Sequence, residues 1–376
     1  FLFCVHIKGK SMPYQAKNYT HIQHIAFEAP TYSANFAGNA TYKSKLEKTI
    51  TLPEPKGLSI DATNRILTVA YLADVARKQV EKSGTDKSTT LKVFTVPEFY
   101  FRPENNEQGA LDRSYKQSNK EAIVGNLRKI FQTEMYADWF FVLGTIVWTC
   151  DLEELEGMNA HSALVSALDK GVRNTCLMLK GGCEDAPINL LDKVHLSGID
   201  EISNDAWYGK SIIFKTRLKI RDFFESFASR KKCLMKVDNL TLCAEICLDH
   251  IKDLQTAKTT LAQINANITG ENEVVDLQFV IACGMNIAPI SIMTQDKGFL
   301  LRNDGHGGSA PFSQSAWVDY SNMNNYKLTN EDGKSTKRDD MMKWTYKDSV
   351  NSLNNKANRN RISEGLTYYY PEKLPA

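Results

Sequence analysis

The chain has 376 residues, of which 42% are hydrophobic, so it can bury a sizeable core and is too long for a small disulfide-stapled scaffold. Its 46 Lys and Arg residues against 44 Asp and Glu leave a formal charge of +2, which argues against nucleic acid as a partner. A membrane partner is not expected either, because no apolar stretch approaches the roughly 20 residues that span a bilayer.

The eight cysteines mostly lie within apolar, strand-like runs, which indicates reduced thiols and a cytoplasmic protein. The first five residues, FLFCV, are too short for the core of a signal peptide and lack a basic start. Cys243, Cys247 and His250 are close in sequence, but no second ligand cluster accompanies them. We therefore predict no metal and no other cofactor.

The first predicted elements are a helix and a buried strand. Apolar residues recur at helical spacing from Ala62 to Val80, behind a start signal at Ser59. After a polar break, the run LKVFTVPEF is continuously apolar and rich in β-branched and aromatic residues, as expected of a strand that is buried on both faces. Glu98 lies where this strand is predicted to end.

The same alternation continues along the chain. A helix is predicted around residues 118–135, followed by a strand in WFFVLGTIVW and two short strands, SALVSAL and NTCLMLK, around a turn at 169–171. SIIFK, LTLCAEI and LQFVIAC are predicted as further strands, with a helix over about 252–264. Helices that alternate with apolar strands indicate a layered α/β domain.

The character of the chain changes after about residue 300. RNDGHGGSAPFSQ contains a Gly-rich stretch at 304–308, and residues 321–363 are dominated by Asn, Lys, Asp and Ser. We therefore predict a core domain over 13–310 and an irregular C-terminal extension over 311–376. The aromatic end of the extension, GLTYYYPEKL, is expected to dock on the core or on a neighbouring subunit.

Three apolar runs end near a lone ionisable residue: Glu98 in VPEFYF, Lys193 in LDKVHL and Cys247 in LTLCAEICLDH. A cysteine that leaves a strand for a turn opening a helix is held on rigid backbone near N–H groups, which favour a thiolate. A thiol that attacks a carbonyl or nitrile carbon also needs a base and a donor for the developing oxyanion. Glu98 suits the first role and Lys193 the second, provided that their strands neighbour that of Cys247.

These segments resemble the carbon–nitrogen hydrolase, or nitrilase, superfamily, whose members use a Glu, a Lys and a Cys in that chain order. The Pro-Glu strand end of the family is matched at 97–98, its Lys-apolar-His-Leu at 193–196, and its Ile-Cys-apolar-acid at 246–249. The resemblance covers about residues 60–300. Cys-Leu-Asp looks more like the amidase and carbamoylase branch than like nitrile-cleaving members, which usually show Cys-Trp-Glu.

The resemblance implies a four-layer α-β-β-α sandwich with a carbon–nitrogen hydrolase domain over 13–310. It also implies a small-molecule amide or related substrate, a thioester on Cys247, no cofactor, and a homodimer or higher homo-oligomer. Three alternatives stay open: an acyltransferase that uses the same thioester, nitrile hydrolysis, and a non-catalytic binding protein on the same fold.

Six further residues are predicted to bind or position the substrate. The family has a second glutamate between its Lys and its Cys, and Glu201 is the nearest candidate. Arg102 is placed to hold a substrate carboxylate, and Glu245 stands where a small or apolar residue is common in the family. The whole set is Glu201, Arg102, Tyr100, Glu245, His195 and His250. For the histidines the alternative is a hydrogen-bonded structural role, and for Tyr100 a place in the pocket wall.

Overall fold

The structure is a computed structural model. It describes residues 13–31, 52–53, 56–85, 87–103, 113–151, 170–193, 233–250, 274–306, 313–329, 336–343 and 363–375. The helices in these segments are α1 (Ile60–Ser83) and α2 (Gln117–Phe131). The strands are β1 (His21–Glu28), β2 (Thr90–Val96), β3 (Tyr115–Lys116), β4 (Trp139–Asp151), β5 (Lys170–Lys180), β6 (Ile188–Asp192), β7 (Leu234–Val237), β8 (Leu240–Ile246), β9 (Val275–Ala282), β10 (Thr294–Asp304), β11 (Ser313–Val318), β12 (Tyr326–Leu328), β13 (Thr336–Lys343), β14 (Ser363–Tyr369) and β15 (Glu372–Lys373).

The strands form two sheets. The first has the order β13-β14-β1-β2-β4-β5-β6, with β3 beside β4 and β15 beside β1. Its central strands β1, β2 and β4 are parallel, whereas β5 and β6 are antiparallel to their neighbours. The second sheet has the order β12-β11-β10-β9-β8-β7, with β8, β9 and β10 parallel. The structure is therefore mixed α/β, as the alternating pattern predicts.

The predicted first helix and buried strand are present. Ser59 caps α1, because its hydroxyl accepts a hydrogen bond from the backbone N–H of Ala62 at 3.2 Å. Gly84 ends the helix in the left-handed conformation that glycine adopts without strain (φ 71°). All seven residues of β2 are buried, which fits a strand covered on both faces.

The two sheets pack face to face, and the helices cover the outer face of the first sheet. The core between the sheets joins Val93 of β2 and Phe140 of β4 to Phe279 of β9, with the last two rings 5.8 Å apart. On the other face of the first sheet, Phe94 and Phe141 pack with the apolar residues of α1 and α2. This accounts for three layers. The helix predicted over 252–264 lies outside the described residues, so the fourth layer stays a prediction.

One side-chain contact shows how the strands of the two sheets are oriented. The amide of Asn303, near the end of β10, donates to the carbonyl oxygens of Phe27 at 3.1 Å and Thr95 at 3.0 Å, near the ends of β1 and β2. Because β8 and β9 are parallel to β10, their carboxyl ends reach the same side. We call this side, where β1, β2, β8, β9 and β10 end, the carboxyl edge.

The C-terminal part of the chain differs from the irregular extension that its composition predicts. β11 joins β10 across the predicted boundary at residue 310, and β14 pairs antiparallel with β1, with Phe27 opposite Leu366. Leu366 and Tyr368 are buried in the core on the helix side. Residues 313–318, 336–343 and 363–369 are thus strands and not irregular, and the aromatic end that was expected to dock lies against β1 and the core. Composition misses β13 because most of its residues are polar, and it is a strand through its pairing with β14.

The structure alters one predicted turn and does not describe two of the predicted strands. The turn predicted at 169–171 overlaps the start of β5, which begins at Lys170. The segments SALVSAL and SIIFK lie outside the described residues. Neither of the described helices is long and apolar enough to cross a membrane.

A buried histidine on β1 makes stability depend on pH. The imidazole of His24 stacks on Tyr369 at 4.9 Å and lies 2.9 Å from the hydroxyl of Thr95. Burial lowers the pKa of His24 from 6.5 to about 3. Between these values the unfolded chain binds a proton that the folded chain does not, so stability falls as the pH drops from about 6.5 towards 3.

We expect His24→Leu to reduce the slope of the unfolding free energy between pH 4 and pH 6 by about 1.4 kcal/mol per pH unit, the value for one proton. Urea denaturation at several pH values measures this slope. Gln23→Leu, at a buried position of the same strand without a titratable group, is the matched control and should leave the slope unchanged. Equal slopes in wild type and His24→Leu would contradict the assignment.

Candidate active site

Glu98 lies at the carboxyl edge, two residues beyond the end of β2, and is completely buried. Its carbonyl oxygen accepts a hydrogen bond from the Thr31 hydroxyl at 2.5 Å. The next residue, Phe99, has a positive φ of 61°, and its N–H donates to the hydroxyl of Thr145 at 2.8 Å. A non-glycine residue in this region is strained, so contacts from β4 and from the end of β1 hold the Glu98 segment in place.

Lys193 follows β6 directly and is also completely buried. Its ammonium donates to Oε1 of Glu98 at 2.8 Å, so two residues 95 positions apart form an ion pair. The amide of Asn174 donates to the same Oε1 at 3.0 Å. The structure thus brings together two of the three residues predicted for catalysis and adds Asn174. A polar residue within the apolar strand NTCLMLK was the one sequence signal for it.

Cys247 begins a short 3-10 helix, Cys247–His250, immediately after β8. The predicted placement at a strand end is therefore correct, although the first turn is 3-10 and residues from 251 onward lie outside the described part. Cys247 has a positive φ of 48° and is 6% exposed. A left-handed backbone at a non-glycine residue costs about 1–3 kcal/mol and is concentrated at functional sites.

A second thiol connects the surroundings of Glu98 with those of Cys247. Cys283 follows β9, the neighbour of β8, and the main-chain register places Ile246 opposite Ile281. Burial raises the pKa of the Cys283 thiol well above its usual value, and negative charge on Glu98, Asp304 and Cys247 raises it further. Cys283 packs against Phe99, the residue after Glu98, and its strand β9 lies beside β8, which ends at Cys247.

Glu245 and His250, which were predicted to contact the substrate, make hydrogen bonds to other groups of the protein. Nε2 of His250 accepts a hydrogen bond from the N–H of Ala288 at 3.0 Å, so the proton lies on Nδ1, 2.6 Å from Oε2 of Glu245. The amide of Gln278 donates to Oε2 of Glu245 at 2.9 Å and to the carbonyl of Ser291 at 3.0 Å. The pair braces the turn after Cys247 and leaves neither imidazole nitrogen for a substrate.

The other residues that were predicted to contact the substrate lie in different parts of the structure. Tyr100 packs among the core residues on the helix side, and its hydroxyl donates to the carbonyl of Arg65 at 3.2 Å; its role toward a substrate stays a prediction. Arg102 is buried with its guanidinium 5.0 Å from the ring centre of Phe99, next to Glu98, and its role toward a substrate stays a prediction. Glu201 and His195 lie outside the described residues.

The described part of the Gly-rich stretch, residues 304–306, is ordered by one carboxylate. Asp304 accepts hydrogen bonds from the N–H groups of Gly284, Met285 and His306, and it forms an ion pair with Arg302 at 2.6 Å. These contacts tie the end of β10 to the segment that follows β9. His306 is exposed, and Gly307 and Gly308 lie outside the described part.

Cys243 belongs to the core. It is completely buried between the sheets, and its Sγ lies 3.4 Å from the sulfur of Met293. Burial raises the pKa of its thiol well above the usual value. Within the segments that the structure describes, no group of three or more His, Cys, Asp or Glu side chains is arranged to hold a metal ion.

Comparison with known proteins gives only distant structural likenesses. No protein-family model matches the chain, and no curated protein matches it. Among solved structures, a double mutant of the amidase from Nesterenkonia sp. AN1 in complex with acrylamide is similar at 10% identity and a TM-score of 0.33, over 81% of this chain and 84% of that one. At this TM-score and identity, the likeness assigns neither a family nor an activity.

A glycine opposite Pro97 makes room for the Glu98 segment. Gly144 lies at an irregularity in the β4–β5 pairing and has a positive φ of 67°. A Cβ at this position would lie 2.4 Å from the carbonyl oxygen of Pro97, which is a clash with backbone. Any side chain here therefore both strains its own backbone and pushes on the residue before Glu98.

We expect Gly144→Ala to lower the unfolding free energy by about 3 kcal/mol, from backbone strain together with overpacking. The matched control is Gly84→Ala, because Gly84 also has a positive φ (71°) but no neighbour within 4 Å of the added carbon. That variant should lose about 1 kcal/mol, the cost of strain alone. Urea denaturation measures both, and equal losses would show that Pro97 does not restrict this position.

Proposed function

We propose that this protein hydrolyses a non-peptide C–N bond of an amide-type small molecule, with Cys247 as nucleophile, Glu98 as general base and Lys193 as the cation that stabilises the oxyanion. The observation that carries the proposal is the completely buried ion pair between Glu98 and Lys193 at the carboxyl edge, the edge at which Cys247 also lies. The predicted resemblance to carbon–nitrogen hydrolases gives the same three residues the same roles.

Energetic considerations support a functional reason for the pair. Removing a carboxylate and an ammonium from water costs several kcal/mol per ion, and replacing such a pair with apolar side chains is often neutral or stabilising. Stability alone therefore does not explain why Glu98 and Lys193 are both completely buried. Buried ionisable groups held against a specific charge partner are typical of catalytic sites.

The proposed reaction has two stages. Glu98 accepts the thiol proton as Sγ of Cys247 attacks the carbonyl carbon, and Lys193 stabilises the tetrahedral oxyanion. The C–N bond then breaks, the nitrogen leaves as ammonia or an amine with the proton from Glu98, and a thioester remains. In the second stage Glu98 takes a proton from water, the resulting hydroxide attacks the thioester, and the acid and the thiol are released.

The left-handed backbone at Cys247 suits a nucleophile. A residue at this sharp strand-to-helix turn is held by the strand on one side and by the braced turn of Glu245 and His250 on the other. A rigidly held thiol loses little freedom on reaching the attacking geometry, which is one source of catalytic rate.

The first test compares the reactivities of the cysteines by peptide-resolved alkylation of the native protein with limiting iodoacetamide. We expect Cys247 to react at least about tenfold faster than Cys176, Cys243 and Cys283, because burial raises the pKa values of those three thiols and keeps them protonated. Glu98→Gln and Lys193→Met should each slow Cys247 by about tenfold or more, since each removes one partner of the site.

The three buried cysteines are internal controls, because a variant that merely loosens the fold accelerates them as well. The proposal would be contradicted if Cys247 reacted no faster than these thiols and if its alkylation rate were the same in both variants as in wild type. If Cys247 is activated, release of ammonia from amides in the absence of any acceptor amine separates hydrolysis from acyl transfer through the same thioester.

A further inference from the structure

One residue contacts both members of the buried ion pair, through two different groups. The side-chain amide of Asn174 donates to Oε1 of Glu98 at 3.0 Å, and its backbone carbonyl accepts a hydrogen bond from the N–H of Lys193 at 2.8 Å. Asn174 is completely buried. It belongs to β5, which lies beside β6 in the first sheet, so strand pairing fixes its backbone.

We propose that Asn174 is a positioning residue that holds the Glu98 carboxylate and Lys193 in one geometry. The inference deepens the proposed function and rests on it for its catalytic consequence. The sequence patterns around the Glu, Lys and Cys do not point to Asn174. Its two contacts are with residues 76 positions earlier and 19 positions later in the chain.

The chemistry of the side chain explains why an asparagine suits this place. The NH₂ group donates to a carboxylate without bringing a charge, so it stabilises the ionised form of Glu98 and does not compete with Lys193 for it. An aspartate has almost the same shape but no donor, and it would put a second negative charge beside Glu98. A leucine would leave the carboxylate with one hydrogen bond fewer in a buried site, which is costly.

Both donors converge on the same carboxylate oxygen. The ammonium of Lys193 and the amide of Asn174 each bind Oε1 of Glu98, and neither of these two bonds uses Oε2. Two donors on one oxygen fix the rotation of the carboxylate about its last bond. In the proposed reaction this fixes where the second oxygen meets the thiol proton.

The test measures the pH profile of Cys247 alkylation in Asn174→Ala and Asn174→Asp. Loss of the donor makes protonation of Glu98 easier, and a second carboxylate makes it easier still. The acid-side limb of the profile should therefore move to higher pH in Asn174→Ala and further in Asn174→Asp. At pH 7 we expect alkylation of Cys247 to slow by about tenfold in Asn174→Ala.

The matched control is Asn126→Ala. Asn126 is also completely buried, but it bonds to the carbonyl of Ala122 within α2, away from the site. This control should lose stability and leave the pH limb in place. A limb that stays where it is in both Asn174 variants would overturn the inference, even if their stability falls.

A second measurement separates this inference from the proposed function. The rate at which Lys193 is modified by reductive methylation reports on its ion pair with Glu98 and requires no activity. It should rise severalfold in Asn174→Ala and stay unchanged in Asn126→Ala. If Lys193 responds but Cys247 is not activated in wild type, the function fails and the positioning role stands. An unchanged Lys193 rate in Asn174→Ala overturns the positioning role.

Discussion

The site depends on one buried ion pair, in which a carboxylate from the end of β2 and an ammonium from the end of β6 meet at 2.8 Å with no exposure to solvent. Neither charge is stable alone in this environment, so each requires the other to be in place when the sheet closes.

The pair occupies the edge at which the parallel strands of both sheets end. Asn303 joins β10 to β1 and β2 across the two sheets, and β8 ends beside β9 on the same side with Cys247 at its tip. Side chains at the carboxyl ends of parallel strands converge without any long loop to carry them. The proposed nucleophile on one sheet and the charged pair on the other therefore lie at the same edge of the two sheets.

Local sequence patterns predicted the elements that are regular and buried. Helical spacing located α1, and the continuous apolar run located β2 with Glu98 just beyond it. The run LTLCAEI located β8 with Cys247 at its end. These patterns are short-range, so a window of about a dozen residues contains the signal. The family resemblance named Glu98 and Lys193 as members of one site, and the two side chains form an ion pair.

Features that depend on distant pairing were not predictable in this way. The strand β13 lies in a polar, Asn-rich region, and it is a strand because it pairs with β14, which itself pairs with the distant β1. Asn174 gains its importance from two neighbours that sequence distance conceals. The burial and mutual hydrogen bond of Glu245 and His250, which brace the turn after Cys247, are likewise not visible in the sequence.

The central claim is that the thiol of Cys247 lies beside the Glu98–Lys193 pair. The most direct test is a crystal structure of the unmodified protein, read for the distances from Sγ of Cys247 to the Glu98 carboxylate and to Nζ of Lys193. We expect Sγ to lie within about 4 Å of one carboxylate oxygen, close enough for proton transfer directly or through one water. An Sγ atom farther from both groups, with protein side chains separating it from Glu98, would contradict the proposed role of Cys247.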